Sequence, residues 1–259
     1  MLVQETAIDV ATAGILFIIF IATLIRSTFG FGEALVAVPL LAFFIPLEVA
    51  APLAVLVSIT IAGIVVVQDW KKIHLRTTGW LVLSTLFGIP LGLLLLTSSH
   101  QRALKATLGL IIVGFAVYSL VSDTAIGHAP PELKPERRGW LLVCGFCAGV
   151  LGGAYGMNGP PLAIYGAMRR WSAQHFRAIL QGYFLPASII GMAGYWLAGL
   201  WVPAVTHYYL LSLPATVIAV FLGRALNHRL HGEGFLKYVY LSLAGIGALL
   251  TVQAIAGRL

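Results

Sequence analysis

Residues 49–67 read VAAPLAVLVSITIAGIVVV, nineteen consecutive positions without a charge. A helix of about 20 residues, rising 1.5 Å per residue, crosses the roughly 30 Å hydrocarbon core of a bilayer. The stretch is a continuous apolar run with no apolar/polar alternation, so it predicts a membrane-spanning helix and not a barrel strand. Runs of similar character, nearly free of charge, occupy 8–25, 80–96, 104–121 and 179–200. Composition agrees: 59% of the 259 residues are hydrophobic and 10% are charged, against about 25% charged in a soluble domain. So few charges cannot cover a water-facing surface. Within hydrocarbon every backbone polar group must find its partner inside the segment. The expected fold class is therefore an all-α polytopic membrane protein.

Working outward, ten apolar segments appear, at about 8–27, 33–45, 49–68, 79–98 and 103–121, then 140–154, 159–169, 174–199, 203–227 and 235–256. The polar stretch between the two sets carries Pro130, Pro131 and Pro135 with five charges from Glu132 to Arg138. This divides the chain into a membrane repeat at 1–121, a linker at 122–139 and a second repeat at 140–259. The halves echo each other. Gly30-Phe31-Gly32 followed by Pro39-Leu40-Leu41 resembles Ala154-Tyr155-Gly156 followed by Pro161-Leu162-Ala163. Trp70 and His74 correspond to Trp201 and His207, and Leu104-Lys105 to Leu236-Lys237. Such weak internal similarity is typical of transporter repeats.

Charge orients the halves. If the first two segments of each half return the chain to its starting side, the second half inserts upside down. Twelve Lys and Arg residues, among them Lys71, Lys72, Arg76, Arg137, Arg138 and Arg224, then share one face, against Arg102, Lys105 and Arg258 on the other. If each such pair makes one broken crossing, the split is eight against seven. Cytoplasmic loops are rich in Lys and Arg, so the first arrangement is expected: two inverted repeats of about five segments each, 8–10 membrane segments in all, both termini outside and the linker in the cytoplasm. The net charge of +7 reads as this bias and not as nucleic-acid binding. The first apolar run lacks a basic n-region, so it is expected to be retained and not cleaved as a signal peptide.

The second segment of each half is too short to span, and each follows a break rich in glycine. The breaks are Arg26-Ser27-Thr28-Phe29-Gly30-Phe31-Gly32-Glu33 and 149–161, which ends Gly156-Met157-Asn158-Gly159-Pro160-Pro161. Glycine permits non-helical dihedrals and proline suits the first turn of a new helix. Irregular backbone at membrane depth persists only inside protein or beside a water-filled cavity. Short, Gly/Pro-interrupted segments at corresponding places in two halves point to a transport site. A helix that begins inside the membrane offers free N–H groups and the positive end of its dipole, which suits an anion. The candidate substrate-binding residues are Arg26, Gly30, Gly32, Glu33, Gly156, Asn158, Gly159 and Gln181. Arg26 either contacts substrate, snorkels to the interface or pairs with Glu33. Glu33 either carries a coupling proton or serves as a first-turn acid. Asn158 either binds substrate or satisfies the broken backbone. Ser58 and Gln181 sit at matching midspan positions, with Gln181 the preferred lining residue.

These paired breaks, leading into Pro39-Leu40-Leu41 and Gly159-Pro160-Pro161-Leu162 and followed by basic loops, resemble the TauE/SafE sulfite exporter family over nearly the whole chain. The resemblance implies transport of sulfite or an organosulfonate across the cell inner membrane, without ATP. Glu33 stands where the family leads us to expect a small residue, and Asn158 where it leads us to expect glycine.

Other functions have weaker support. An intramembrane enzyme needs a nucleophile with its base, or grouped metal ligands; no His-Glu-x-x-His or Gly-x-Ser-x-Gly occurs. No phosphate-binding Gly-x-x-x-x-Gly-Lys-[Ser/Thr] loop is present, which argues against an ATP-driven pump within the chain. A passive anion channel stays open as the alternative, and a scaffold leaves the paired breaks without purpose. Cys144 and Cys147 lack the context of a redox or metal motif and read as packing residues. No cofactor or metal is expected. The expected partners are the lipid bilayer and a small anion, with a coupling H+ or Na+ left open.

Overall fold

The computed structural model describes residues 2–69, 75–121, 138–169, 171, 173–229 and 233–256. Trp70 to His74, Arg170 and linker residues 122–137, on which the charge and repeat arguments partly rest, lie outside the described residues. Among the described residues there are ten helices and no strand. They are α1 (Leu2–Phe29), α2 (Glu33–Leu41), α3 (Leu47–Asp69), α4 (Leu75–Ser98), α5 (Gln101–Val121), α6 (Arg138–Tyr155), α7 (Gly159–Met168), α8 (Ala173–Leu197), α9 (Pro203–Arg229) and α10 (Glu233–Ile255). α2 stops at Leu41, four residues short of its expected end, and a turn through Phe43 and Phe44 hands the chain to α3.

Among the described residues, six helices carry stretches long and apolar enough to cross a membrane. Their burial within the protein differs in a telling way. The span Leu47–Val67 in α3 is 61% buried, whereas Pro203–Asn227 in α9 is 28% buried. α3 is thus a central element and α9 a peripheral one. The outward faces keep large apolar residues such as Phe17, Phe87, Leu94, Leu110 and Phe221 exposed. A contiguous apolar exterior of this kind is a lipid-facing surface.

Glycines bring the helices close. On α4, Gly88 lies against the backbone of Phe146 and Val150, and Gly92 against Val150 and Ala154. On α6, Gly145, Gly149 and Gly153 return the contact, with Gly149 against Thr85 and Gly88. Spacing of four places these glycines on one face of each helix, and small residues let backbones approach where lipid supplies no hydrophobic drive. α4 and α6 run parallel, as the ascending residue numbers on both sides show. α1 and α9 also run parallel: Gly223 meets Leu24 and Ser27, and Asn227 donates to the carbonyl of Thr28. α5 and α10 are antiparallel, with Gly109 against Gly247 and Thr251 and Gly247 against Val113.

α2 reverses direction. Arg26, near the end of α1, bonds Glu33 at the start of α2, while Phe44, just past the end of α2, packs on Gly14 far back along α1. The short helix therefore runs back beside α1. The reversal uses left-handed backbone at Gly30 (φ 90°) and Gly32 (φ 101°), which glycine adopts without a Cβ penalty. The break before α7 uses Gly156 (φ 68°) in the same way.

Candidate functional site

Both breaks deliver a helix start to one buried cavity. Gly32, Glu33, Ala34 and Leu35 from α2 line it, as do Gly156, Met157, Asn158, Gly159 and Pro160 leading into α7. Arg26 of α1, Ser58 of α3 and Phe184 and Ser188 of α8 complete it, with Phe31 from the first break. Its volume is about 20 Å³, on the order of one or two water-sized positions.

The two helix starts differ. Glu33, Ala34 and Leu35 precede the first intrahelical bond of α2, from the N–H of Val36 to the carbonyl of Gly32 at 3.1 Å, so their N–H groups have no partner within the helix. α7 opens on Gly159-Pro160-Pro161, so proline fills its second and third positions, and proline has no N–H. Its contribution is the dipole and few donors. The donor-rich wall of the cavity therefore belongs to α2.

Arg26 and Glu33 are the only charged residues lining the cavity among the described residues. Both are buried. The guanidinium donates to Glu33 Oε2 and to Ser58 Oγ and sits 4.5 Å from the ring centroid of Phe184, a cation–π contact of about 0.5–2 kcal/mol. Ser188 donates to Ser58 at 3.3 Å, tying α8 to the same cluster. Glu33 Oε1 has no hydrogen-bond partner. A buried carboxylate with one oxygen unsatisfied is costly. The site thus holds a cation, an acid and helix-start N–H groups around a small cavity, a set that suits a small anion and a proton.

The Asn158 side chain packs against Gly152, and hydrogen bonds anchor the helices around it. The Thr85 hydroxyl donates to the Gly145 carbonyl at 2.9 Å and lies 2.8 Å from the Tyr183 hydroxyl. Since Thr85 has one proton, Tyr183 donates to Thr85. Tyr195 donates to the Gly152 carbonyl at 2.7 Å. These bonds fix the second break against α4 and α8.

Of the eight candidates, Arg26, Gly32, Glu33, Gly156, Asn158 and Gly159 meet at the cavity. Gly30 shapes the first break without lining the cavity, and Gln181 lies on α8 away from it. Ser58, Ser188, Phe31 and Phe184 line it and were not among the candidates; Ser58 was identifiable as a midspan polar residue. A separate, wider cavity of about 600 Å³ lies at the end of α2, between Ala42–Pro46 and Gln101, Arg102 and Lys105. There Lys105 donates to the Ala42 carbonyl at 2.7 Å. Among the described residues no cluster of three or more His, Cys, Asp or Glu side chains gathers as a metal site.

The family described as Sulfite exporter TauE/SafE matches residues 15–250. No curated protein and no solved structure matches the chain.

Proposed function

The chain belongs to the TauE/SafE sulfite exporter family, a family of membrane transporters, and from that premise we propose that it carries sulfite or a small organosulfonate by alternating access. The observation that carries this reading is the cavity: two interrupted helices and one buried arginine converge where an oxyanion of that class would be coordinated. Backbone N–H groups at the start of α2, the α7 dipole, the Arg26 guanidinium and the Asn158 amide supply its contacts. The small volume supports an occluded resting state in which neither side of the membrane reaches the site. Opening requires one group of helices to shift against the other.

The inverted arrangement of residues 1–121 and 140–259 belongs to the same proposal. It is supported by the reversal at α2 and by the parallel pairs α4–α6 and α1–α9, each of which joins one helix from either half. The basic linker faces the cytoplasm and the termini face outward, which puts the wide cavity near Lys105 at the outer mouth. Cysteines placed singly at Ala129 and Thr6 in a cysteine-free background test the orientation. Ala129→Cys is expected to resist an impermeant maleimide in intact cells and to label after permeabilisation, with Thr6→Cys behaving oppositely. The reverse pattern sinks the orientation.

The function itself is tested by flux into proteoliposomes of purified protein, using sulfite, sulfoacetate, sulfate, chloride and acetate. Saturable movement of sulfite or sulfoacetate with chloride excluded is the expected result. Chloride passing as freely as the sulfur anions makes the protein a channel. No anion flux under imposed pH or sodium gradients removes the transport reading.

A further inference from the structure

We propose that Glu33 carries the coupling proton: the anion takes Arg26 from the carboxylate, and the displaced carboxylate takes up one proton per monovalent anion. The proposal rests on the transport reading above and adds its coupling ion, its stoichiometry and the group responsible.

The argument begins with space. Arg26 is engaged by Glu33 Oε2 and Ser58, and the cavity offers only about 20 Å³ beside them. An oxyanion therefore reaches the guanidinium by replacing the carboxylate, not by joining it. Among the described side chains, no other cation lines the cavity for the displaced carboxylate to turn to. From α1 the only charged residue lining the cavity, among the described residues, is Arg26. From α3 comes Ser58, while Glu48 engages Gln101 at the far end of α2. Lys105 of α5 is also at that far end, bonded to the Ala42 carbonyl. α7 brings Asn158 and a helix start, and α8 brings Phe184 and Ser188. The described side chains of α10, from Leu243 onward, include no titratable group. An ionised carboxylate left in this setting is an unpaired buried charge. Protonation removes that charge, and Oε1, already without a partner, is the open position for the proton.

Charge then makes the coupling obligatory. The empty site holds Arg26 and ionised Glu33 and is neutral. The loaded site holds Arg26, a monovalent anion and protonated Glu33, and is also neutral. The two mixed states carry a net charge through a low-dielectric interior and are disfavoured. Only the neutral states change sides, so anion and proton move together. One O–H bond forms on Glu33, its proton coming from water on the side where the anion binds, and it breaks on the side of release. No electron is transferred.

The test uses wild-type protein and Glu33→Gln in proteoliposomes with an internal pH dye and methanesulfonate as a monovalent probe. In the wild type an inward anion gradient is expected to acidify the lumen one proton per anion, and a membrane potential of either sign to leave the rate unchanged. Glu33→Gln mimics the protonated state, so anion-for-anion exchange persists. Net uptake falls at least about tenfold and acidification disappears, because the empty site now holds an unpaired Arg26. Wild-type flux without proton movement, or full proton-coupled uptake by Glu33→Gln, overturns the proposal and leaves the transport reading standing. Absence of both flux and exchange in the wild type removes both. If Glu33→Gln does not fold, the wild-type proton-to-anion ratio alone decides.

Discussion

Arg26→Ala is expected to reduce anion affinity at least about thirtyfold and to abolish measurable net flux. Removing one partner of a buried, hydrogen-bonded charge pair costs about 2–5 kcal/mol, and each 1.4 kcal/mol is a factor of about ten. Here the loss falls on the bound anion, which keeps only backbone donors, dipoles and Asn158. The same substitution strands Glu33, which bonds Arg26 in the resting protein. Breaking a buried pair costs about 3–5 kcal/mol of stability, although a carboxyl that takes up a proton limits that loss. Arg26→Ala/Glu33→Gln removes the stranded charge. It is expected to regain thermal stability in detergent while remaining unable to bind. Asn158→Ala removes a neutral donor worth about 0.5–1.5 kcal/mol and is expected to weaken binding only a few-fold. Anion binding by a folded Arg26→Ala at wild-type affinity, measured calorimetrically, removes Arg26 from the site.

Gly149→Leu is expected to prevent assembly of a stable protein. A Cβ at this position falls on the carbonyl of Thr85 and within 3.0 Å of Gly88 Cα. Both obstacles are backbone, so neither can rotate away; α4 and α6 must separate along the whole crossing. Overpacking in a tight core costs about 1–3 kcal/mol and sometimes more, and here it comes with the loss of neighbouring close contacts. Gly114→Leu is the control, since nothing lies within 4 Å of a Cβ built there. Size-exclusion profiles and melting temperatures in detergent separate the two. A Gly149→Leu variant as monodisperse and as stable as Gly114→Leu contradicts the crossing described above.

The number and places of the helices were legible because a membrane imposes length and charge rules on each segment separately. α2 and α7 were equally plain, since glycine and proline announce their starts. What one segment cannot disclose is which way its residues face once packed. Ser58 and Gln181 are both midspan polar residues in matching segments, yet Ser58 faces the cavity and Gln181 does not. The pairing of Arg26 with Glu33 was one of three fates open to the arginine. Seven residues apart on a continuous helix they would lie two turns, about 10 Å, from each other; only the reversal at Gly30 and Gly32 brings them into contact. Phe184 and Ser188 carried no signal of their own, because aromatic and small polar residues recur throughout the spans. The spacing of Gly88 and Gly92, and of Gly145, Gly149 and Gly153, was visible, but their mutual partnership is a property of the assembled bundle.

The principal partners of α1 and α4 are α9 and α6, and the principal partner of α5 is α10. Every one of those partners is translated later. A ribosome that has delivered residues 1–121 to the bilayer has therefore made helices whose closest neighbours do not yet exist. Gly88 and Gly92 then lack the α6 backbone against which they pack, and Arg26 lacks the Phe184 ring that covers it. The close packing of α1, α4 and α5 is therefore completed only once α6, α9 and α10 have been made.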